Sequence, residues 1–467
     1  MEITASASGG IAKANRFPSQ IKYIVGNEAC ERFSYYGMRS ILVVFMVQYL
    51  LMQENVAKGV YHTFISANYF LPLLGAYLSD RFLGKYRTII YLSLVYCAGH
   101  AVLAIWETQA GLYWGLGLIA LGAGGIKPCV SAHVGDQFDK SNAHLIEKVF
   151  EMFYFSINFG SFFSFLVIPL VLPKYGPGWA FGIPGILMGL ATIVFWMGRK
   201  QYVHVPPTGK ENGAQFFGIL FYSLTHFGDR KPGQNFLEVA RAKYPAEKVE
   251  GAQAAMGVFK VLIAVSAFWA LFEQQGSTWL LQAKQMDLNV FGLTLEASQI
   301  QGLNPIFVML LIPMCSLWIY PTVEKMGFKL TPLRKMSIGM ALTGLAFVMV
   351  GMLQVVLDGG TRLSVGWQIP PFIILTASEV MVSITGLEFA YTQAPRAMKS
   401  TIMSLWLITV AVGNWFTAVV SYVNPFSGAM EFFFYAGLMF FVAVLFVWGA
   451  SRYKARYYVE DAPLSRH

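Results

Sequence analysis

Apolar residues form long runs along almost the whole chain, and short polar segments separate one run from the next. A helix needs about 20 apolar residues to cross the roughly 30 Å of hydrocarbon in a bilayer. The runs reach this length repeatedly, and they predict about twelve membrane-spanning helices in an all-α membrane protein. We place these helices at residues 21–52, 57–79, 88–106, 111–133, 149–172, 179–198, 256–283, 298–320, 335–357, 367–391, 401–423 and 431–450.

A segment rich in charged residues, proline and glycine interrupts this pattern between Arg199 and Lys260. It divides the predicted helices into two sets of six, which is the arrangement of transporters built from two repeats. We therefore expect a six-helix bundle over residues 1–200, a cytoplasmic linker over 201–255, and a second six-helix bundle with a cytoplasmic tail over 256–467. The linker piece FFGILFYSLTHF is too short to cross and should lie on the membrane surface or pack against the bundle.

Composition and charge agree with a multi-pass membrane protein, because the chain is 56% hydrophobic and only 13% charged. The net charge of +9 comes from Lys and Arg residues that fall mostly on one side of the predicted helices, which places both termini in the cytoplasm by the positive-inside rule. No nucleic-acid partner is therefore expected, and no obligatory protein partner is apparent. The short outer loops contain no glycosylation sequon, which favours the cell inner (plasma) membrane. The four cysteines have neither disulfide nor metal spacing, and no cofactor is expected.

One face of the first predicted helix is polar where a lipid-facing surface would be apolar. Glu28, Glu31, Arg32, Tyr35 and Arg39 recur at spacings that align them in one stripe along a helix. A charge at the bilayer centre costs about 2.5–3.5 kcal/mol on an insertion scale, so this stripe must face protein or water. We interpret it as the lining of a path through the bundle.

Other predicted helices carry isolated ionisable residues, and buried residues of this kind usually mark pathways in membrane proteins. They are His62, Lys127, Glu273 and Glu379. For His62, taken alone, a structural histidine satisfied by a neighbour is the stronger interpretation. Deep acids outnumber deep bases by four to three, namely Glu28, Glu31, Glu273 and Glu379 against Arg32, Arg39 and Lys127. Because one added proton balances this interior, we hypothesise that proton uptake is part of the working cycle.

The stretch NEACERFSYYGMRS matches the signature E-x-x-E-R-F-x-Y-Y-G of the proton-dependent oligopeptide transporter family, from Glu28 to Gly37. GGIKPCVSAHVGDQF, FYFSINFGSF, EQQGSTW, QGLNP and TGLEFAYTQAPRAMKS look like other blocks of that family, and GAYLSDRFLGKYR resembles the loop motif of the major facilitator superfamily to which it belongs. The resemblance implies two six-helix bundles and proton-coupled import of di- and tripeptides by alternating access. YHTF resembles the animal members, which implies that His62 takes part in proton coupling.

A peptide of this size is a zwitterion, and the residue types suit it. Arg39 and Lys127 can receive its carboxylate, Glu379 can hold its ammonium group, and Asn158 and Asn304 can bind its ends and backbone. The remaining predicted binding residues are mostly aromatic and would form roomy pockets, namely Tyr35, Tyr36, Tyr69, Phe155, Trp279, Ser383 and Trp406.

The resemblance also implies a coupling scheme, in which Glu28 or Glu31 takes up the proton and loosens its pairing with Arg32. Arg39 with Glu273, and Lys127 with Glu379, are candidate gates between the two halves. Three alternatives stay open: a nitrate or other small-metabolite carrier of the same family, a passive channel, and a membrane enzyme. The enzyme is disfavoured, because no His, Cys and Asp grouping has a catalytic or metal-binding spacing.

Overall fold

The computed structural model describes residues 17–139, 142, 145–207, 214–231, 233–290, 292–393 and 398–453. These residues form one helical bundle with six crossings before the linker and six after it, as the hydropathy pattern predicts. Nine of the described helices are long and apolar enough to cross a membrane, and a bent pair, Ala246–Leu262 with Val265–Gln285, makes a tenth with a bend of 46°. The other two crossings carry the charged stripe or a break, so they are less apolar or are interrupted.

The first half contains α1 to α7. They are α1 (Ile21–Val44), α2 (Glu54–Phe70), α3 (Pro72–Leu78), α4 (Lys85–Ile105), α5 (Gln109–Gly135), α6 (Ile146–Tyr175) and α7 (Pro177–Met197), with α2 and α3 forming one crossing. Two π-helical turns extend α1 and α3, at Phe45–Tyr49 and Ser79–Leu83. Packing is close between α3 and α5, where a Cβ atom on Gly75 would lie 2.1 Å from the carbonyl oxygen of Gly125. Only glycine permits this approach of the two backbones.

The linker contains α8 (Ala214–Thr225) and short 3₁₀ turns at Phe227–Asp229 and Phe236–Ala242. One face of α8 is fully buried through Phe216, Ile219 and Ser223, and it packs against the second turn and the following helix. Two arrangements were expected for this piece, on the membrane surface or packed against the bundle, and the structure shows the packed one. The next helix begins at Ala246, earlier than the expected residue 256.

The second half contains α9 to α18, and several of its crossings are built from more than one helix. They are α9 (Ala246–Leu262) with α10 (Val265–Phe272) and α11 (Thr278–Gln285), α12 (Leu303–Met314) with α13 (Tyr320–Lys325), α14 (Pro332–Asp358), α15 (Ile369–Glu379) with α16 (Thr385–Thr392), α17 (Lys399–Val423) and α18 (Ala429–Arg452). The breaks are 3₁₀ turns at Glu273–Gly276, Ala297–Gly302 and Val365–Gln368 and π turns at Cys315–Ile319 and Val380–Ile384. A two-stranded hairpin, β1 (Asn289–Val290) and β2 (Leu293–Thr294), joins α11 to the next crossing.

An even number of crossings brings Phe17 and Tyr453, the first and last described residues, to the same side of the bundle. We call that side the terminal face and the opposite side the far face. Toward the far face α2 packs along α17, and α6 packs against the Ala297–Gly302 turn and α12. The Lys58 ammonium bridges both carboxylate oxygens of Glu431 there, at 2.6 and 2.7 Å, and so joins the second turn of α2 to the first turn of α18.

Candidate functional site

A cavity of about 260 Å³ lies between the two halves of the bundle. Both halves contribute to its wall, and the lining is mostly aromatic and polar. The first half provides Tyr36, Arg39, Tyr69, Tyr154, Ile157, Asn158, Ser161 and Phe165, and the second half provides Trp269, Phe272, Glu273, Gln275, Gln301, Asn304, Pro305, Val308, Glu379 and Ser383. A site shared in this way changes shape whenever one half moves relative to the other.

Arg39 and Glu273 form a buried ion pair across the cavity wall, so this predicted partnership between the halves is present. Arg39 Nε also donates a hydrogen bond to the Tyr61 hydroxyl at 2.7 Å, which fixes the plane of the guanidinium. Glu273 occupies the first position of the 3₁₀ turn that follows α10. The break of the helix there turns its carboxylate toward α1.

Glu379 forms a second polar wall, on the side of the cavity that belongs to the second half. Asn304 Nδ2 donates to Glu379 Oε2 at 2.7 Å and approaches Thr376 Oγ1 at 3.3 Å. Glu379 is the last residue of α15, and the π turn that follows it also brings Ser383 to the cavity wall. π turns of this kind often occur at functional sites, because they re-aim side chains within a helix.

The predicted pair between Lys127 and Glu379 is not formed. Lys127 Nζ lies over the Tyr69 ring, 4.4 Å from its centroid, and 4.9 Å from that of Tyr35. Among the described residues no carboxylate lies within ion-pair distance of Lys127. Lys127 is therefore behind the cavity wall, where it contacts the cavity through Tyr69.

The acidic cluster of α1 lies deeper in the first half, and its two carboxylates differ in their hydrogen bonding. Arg32 Nε donates a hydrogen bond to Glu28 Oε1 at 2.8 Å. Glu31 Oε2 lies 2.8 Å from the same nitrogen, yet neither oxygen of this buried carboxylate has a hydrogen-bond partner. One N–H cannot point at both carboxylates, and Glu31 is the one left without a donor.

His62 lies where the two halves pack together, not in the cavity wall. Its Nδ1 is 2.8 Å from Asn414 Oδ1 and its Nε2 is 2.8 Å from Ser277 Oγ, so both ring nitrogens bond to the second half. The side chain is fully buried. This single histidine therefore connects α2 to α17 and to the broken crossing that contains Glu273.

Five of the predicted binding residues do not line the central cavity: Tyr35, Lys127, Phe155, Trp279 and Trp406. Trp279 is fully buried against Phe347 and Phe372, within the second half. Trp406 packs on the ring of Trp269, and Tyr35 is buried behind Tyr36. The remaining seven, including Asn158, Asn304 and Ser383, do line it.

Several lining residues were not predicted, although helical spacing from predicted ones identifies most of them. Tyr154, Ser161 and Phe165 lie four residues before and three and seven after Asn158, so they share its face of α6. Trp269 lies four residues before Glu273, which is the spacing of one helical turn. Gln301 and Val308 flank Asn304 at three and four residues.

A second cavity, of about 740 Å³, adjoins the first and shares Tyr154 and Asn158 with it. Its wall comes from the parts of α6 and α12 nearer the terminal face, through residues such as Phe150 and Met309. Phe155 lines this second cavity and is 60% exposed. The second cavity thus lies beside the central one on the side of the terminal face, while the ion pairs and hydrogen bonds described above join the halves toward the far face.

Within the described part of the chain, no group of three or more His, Cys, Asp or Glu residues is arranged to hold a metal ion. The lining of the central cavity offers ionised groups, amides and aromatic rings.

Known proteins resemble this chain over most of its length. A family model described as the POT family matches residues 86–427. Solute carrier family 15 member 2 of Homo sapiens is 38% identical over 397 residues, which are 80% of this chain and 54% of that protein. Peptide transporter 3 of Caenorhabditis elegans is 34% identical over 363 residues, 74% of this chain and 52% of that protein. The chain thus spans about half the length of these relatives.

Solved structures show the same fold over nearly whole chains. The in meso crystal structure of the POT family transporter PepTSo superposes with a TM-score of 0.87 at 43% identity, covering 93% of this chain and 98% of that one. The crystal structure of an auto-inhibited POT family peptide transporter also gives 0.87, at 41% identity, with 95% and 99% coverage. The predicted fold is thereby confirmed, and the chain belongs to the POT family.

Proposed function

We propose that this chain is a proton-coupled symporter that imports di- and tripeptides by alternating access. We also propose that it lies in the cell inner (plasma) membrane with its terminal face, and hence both termini, in the cytoplasm. One observation carries the proposal: a single cavity between the halves has a cationic group on one wall and a carboxylate with an amide partner on another. A zwitterion with a peptide backbone matches such a cavity.

The peptide would bind across the cavity, from the first half to the second. Its carboxylate would bind Arg39, and its ammonium group would bind Glu379, each by a charge-assisted hydrogen bond. Asn158 and Asn304 would bind the backbone, while Tyr36, Tyr69 and Trp269 would surround the side chains. A volume of about 260 Å³ is close to the lower end of the usual range for small-molecule pockets, about 300–1,000 Å³. This favours short peptides.

The arrangement of the cavities supports a transporter caught in an inward-facing state. Toward the far face, Arg39–Glu273, Lys58–Glu431 and the two hydrogen bonds of His62 close the path between the halves. Toward the terminal face, the cavity of about 740 Å³ adjoins the central one. Contacts that exist in one state and are absent in the other supply the energy difference on which alternating access depends.

Within this scheme, we assign the coupling proton to the Glu28, Glu31 and Arg32 cluster, and to Glu31 first. Its ionised carboxylate has no hydrogen-bond donor in a buried site, and protonation would relieve that cost. Arg32 would then pair with Glu28 alone. The change would reach the cavity through α1, on which Tyr36 and Arg39 lie one and two turns farther on. His62 would couple protonation to the contact between the halves.

Two bodies, residues 1–200 and 256–467, would move about the 201–255 linker. Lys127 and Tyr35 would act from behind the wall, by supporting Tyr69, and Lys127 would pair with Glu379 only after the halves move. The proposed role of Glu379 and the similarity to a peptide transporter of Caenorhabditis elegans favour this function over a nitrate carrier. Competition between nitrate and dialanine for uptake discriminates between these two functions.

The decisive experiment is uptake of labelled dialanine into liposomes that contain the purified chain. With an inward proton gradient, dialanine should accumulate above its external concentration, and a protonophore should abolish the accumulation. Uptake that only equilibrates would indicate a passive channel, and uptake unaffected by the gradient would remove proton coupling. Analysis of the internal peptide for hydrolysis products tests the enzyme alternative.

A further inference from the structure

A third cavity, of about 660 Å³, opens at the terminal face, away from the central site. It lies between the beginning of α4 and the first residues of the linker. Its wall combines residues 84–87, His133 near the end of α5, and residues 204–207. The proposed transport cycle makes no use of this pocket.

The beginning of α4 contributes a set of backbone donors. Gly84 has a φ of +73° and precedes the helix, and no side chain caps the first turn. The first intrahelical bond reaches back from Thr88 N–H to Gly84 O at 3.1 Å. The N–H groups of the residues between them therefore point out of the helix end, where the helix dipole favours an anion.

Cationic side chains surround these donors. Lys85 Nζ bonds to both carboxylate oxygens of Asp136, at 2.7 and 2.6 Å, so its charge is compensated and its position is fixed. Arg87 is exposed, and in the described chain no carboxylate lies within ion-pair distance of it. His204 lines the pocket from the linker, where its Nε2 lies 3.0 Å from the Arg199 carbonyl oxygen. The pocket consequently carries one uncompensated positive charge, that of Arg87.

His133 supplies an independent sign of a missing ligand. Its side chain is only 1% exposed and lines the pocket, yet its Nε2 has no hydrogen-bond partner. The ring is held in place by Phe195 and Tyr202, with centroids 5.6 and 4.9 Å away. A buried ring nitrogen without a partner costs free energy, and a ligand acceptor would satisfy it as an N–H donor.

We propose that this pocket binds a phosphate group, carried either by an anionic lipid headgroup or by a free phosphate. A tetrahedral anion has several acceptor oxygens, which match the donors that the α4 amides, Arg87 and His133 contribute to the wall of this pocket. Basic pockets between helices near a membrane surface are suited to such headgroups. The bound group would join the start of the linker, at residues 204–207, to the first bundle.

The test compares wild-type full-length chain with R87Q and H133F. R87Q removes one exposed charge, and H133F keeps the aromatic packing while it removes the nitrogen. R362Q is the matched control, because Arg362 is equally exposed but lies on the far face. Scintillation proximity binding of radiolabelled inorganic phosphate probes the free source, and native mass spectrometry with phosphatidylglycerol against diacylglycerol probes the lipid source.

We expect binding to weaken about tenfold or more in R87Q and in H133F and to stay unchanged in R362Q. Loss of inorganic phosphate binding would support a soluble ligand. Selective loss of phosphatidylglycerol, without binding of free phosphate, would support a lipid. If neither probe binds wild-type chain more tightly than R87Q, the pocket is not a phosphate site. Dialanine uptake is not a readout here, so the outcome is independent of the proposed transport.

Discussion

The ion pair between Lys58 and Glu431 offers a direct test of how the far face is held closed. The two side chains are 8% and 12% exposed, and no other residue is needed to complete the pair. Fully exposed pairs contribute about 0–1 kcal/mol, whereas breaking a buried pair costs about 3–5 kcal/mol. The cost of breaking a pair with this degree of burial lies between these limits, and we take it as about 2–3 kcal/mol. Because the pair must break when the far face opens, K58Q should shift the equilibrium toward the open state by roughly 30- to 150-fold.

Double electron–electron resonance measures this shift. After the four native cysteines are replaced by alanine, spin labels at positions 51 and 430 report the separation of the halves, because Leu51 and Met430 are exposed at the far face. K58Q and E431Q should each populate longer distances, and the exchanged pair K58E/E431K should restore the wild-type distribution. K174Q, which removes an exposed far-face lysine, is the control. Identical distributions for K58Q and K174Q, or strictly additive effects in the exchanged pair, would refute the reasoning.

Three further predictions concern the proton site, the peptide site and the packing. E31Q should abolish proton-driven accumulation of dialanine, because a neutral amide mimics the protonated carboxyl. Exchange of dialanine across the liposome membrane should persist in E31Q. Accumulation that still depends on the proton gradient in E31Q would contradict this role of Glu31. E379Q should raise the KM for dialanine about tenfold to a hundredfold through the loss of one charge-assisted hydrogen bond, and it should leave the KM for N-acetyl-dialanine, which lacks the ammonium group, unchanged. G75A should lower the unfolding temperature of the detergent-solubilised chain, since overpacking costs about 1–3 kcal/mol. G117A, where no atom lies within 4 Å of an added Cβ, should not.

Hydropathy predicted the fold well, because burial in lipid imposes the same long apolar pattern on every crossing. It also indicated the site, because charges such as Arg39, Glu273 and Glu379 have no other inexpensive location in a membrane protein. Hydropathy does not show whether a buried aromatic side chain faces the cavity or packs inside its own half of the bundle. Trp279 and Trp406 pack inside the second half for that reason, although they are as buried as the residues that line the cavity.

Pairings between distant parts of the chain were the least predictable feature. Lys58 and Glu431 are 373 positions apart, and nothing in the local sequence of either indicates the other. Lys127 and Glu379 were candidates for a gating pair in the coupling scheme that the family resemblance implies, but Tyr69 and Asn304 already provide their contacts. A pairing that depends on the conformational state cannot be read from charge alone.

The π turn at Val380–Ile384 makes the effect of a one-residue change in chain length depend on where in this crossing it falls. Successive residues of an α-helix are rotated by about 100° around its axis, and a π turn accommodates one additional residue within such a helix. Deleting one residue of the turn should therefore return the crossing to regular α-helix, with Glu379 keeping its orientation relative to α16. Deleting Ile374, in the regular part of α15, should instead rotate the preceding part of α15 by about 100° relative to Glu379, so a single-residue deletion is expected to be far more harmful there than in the turn.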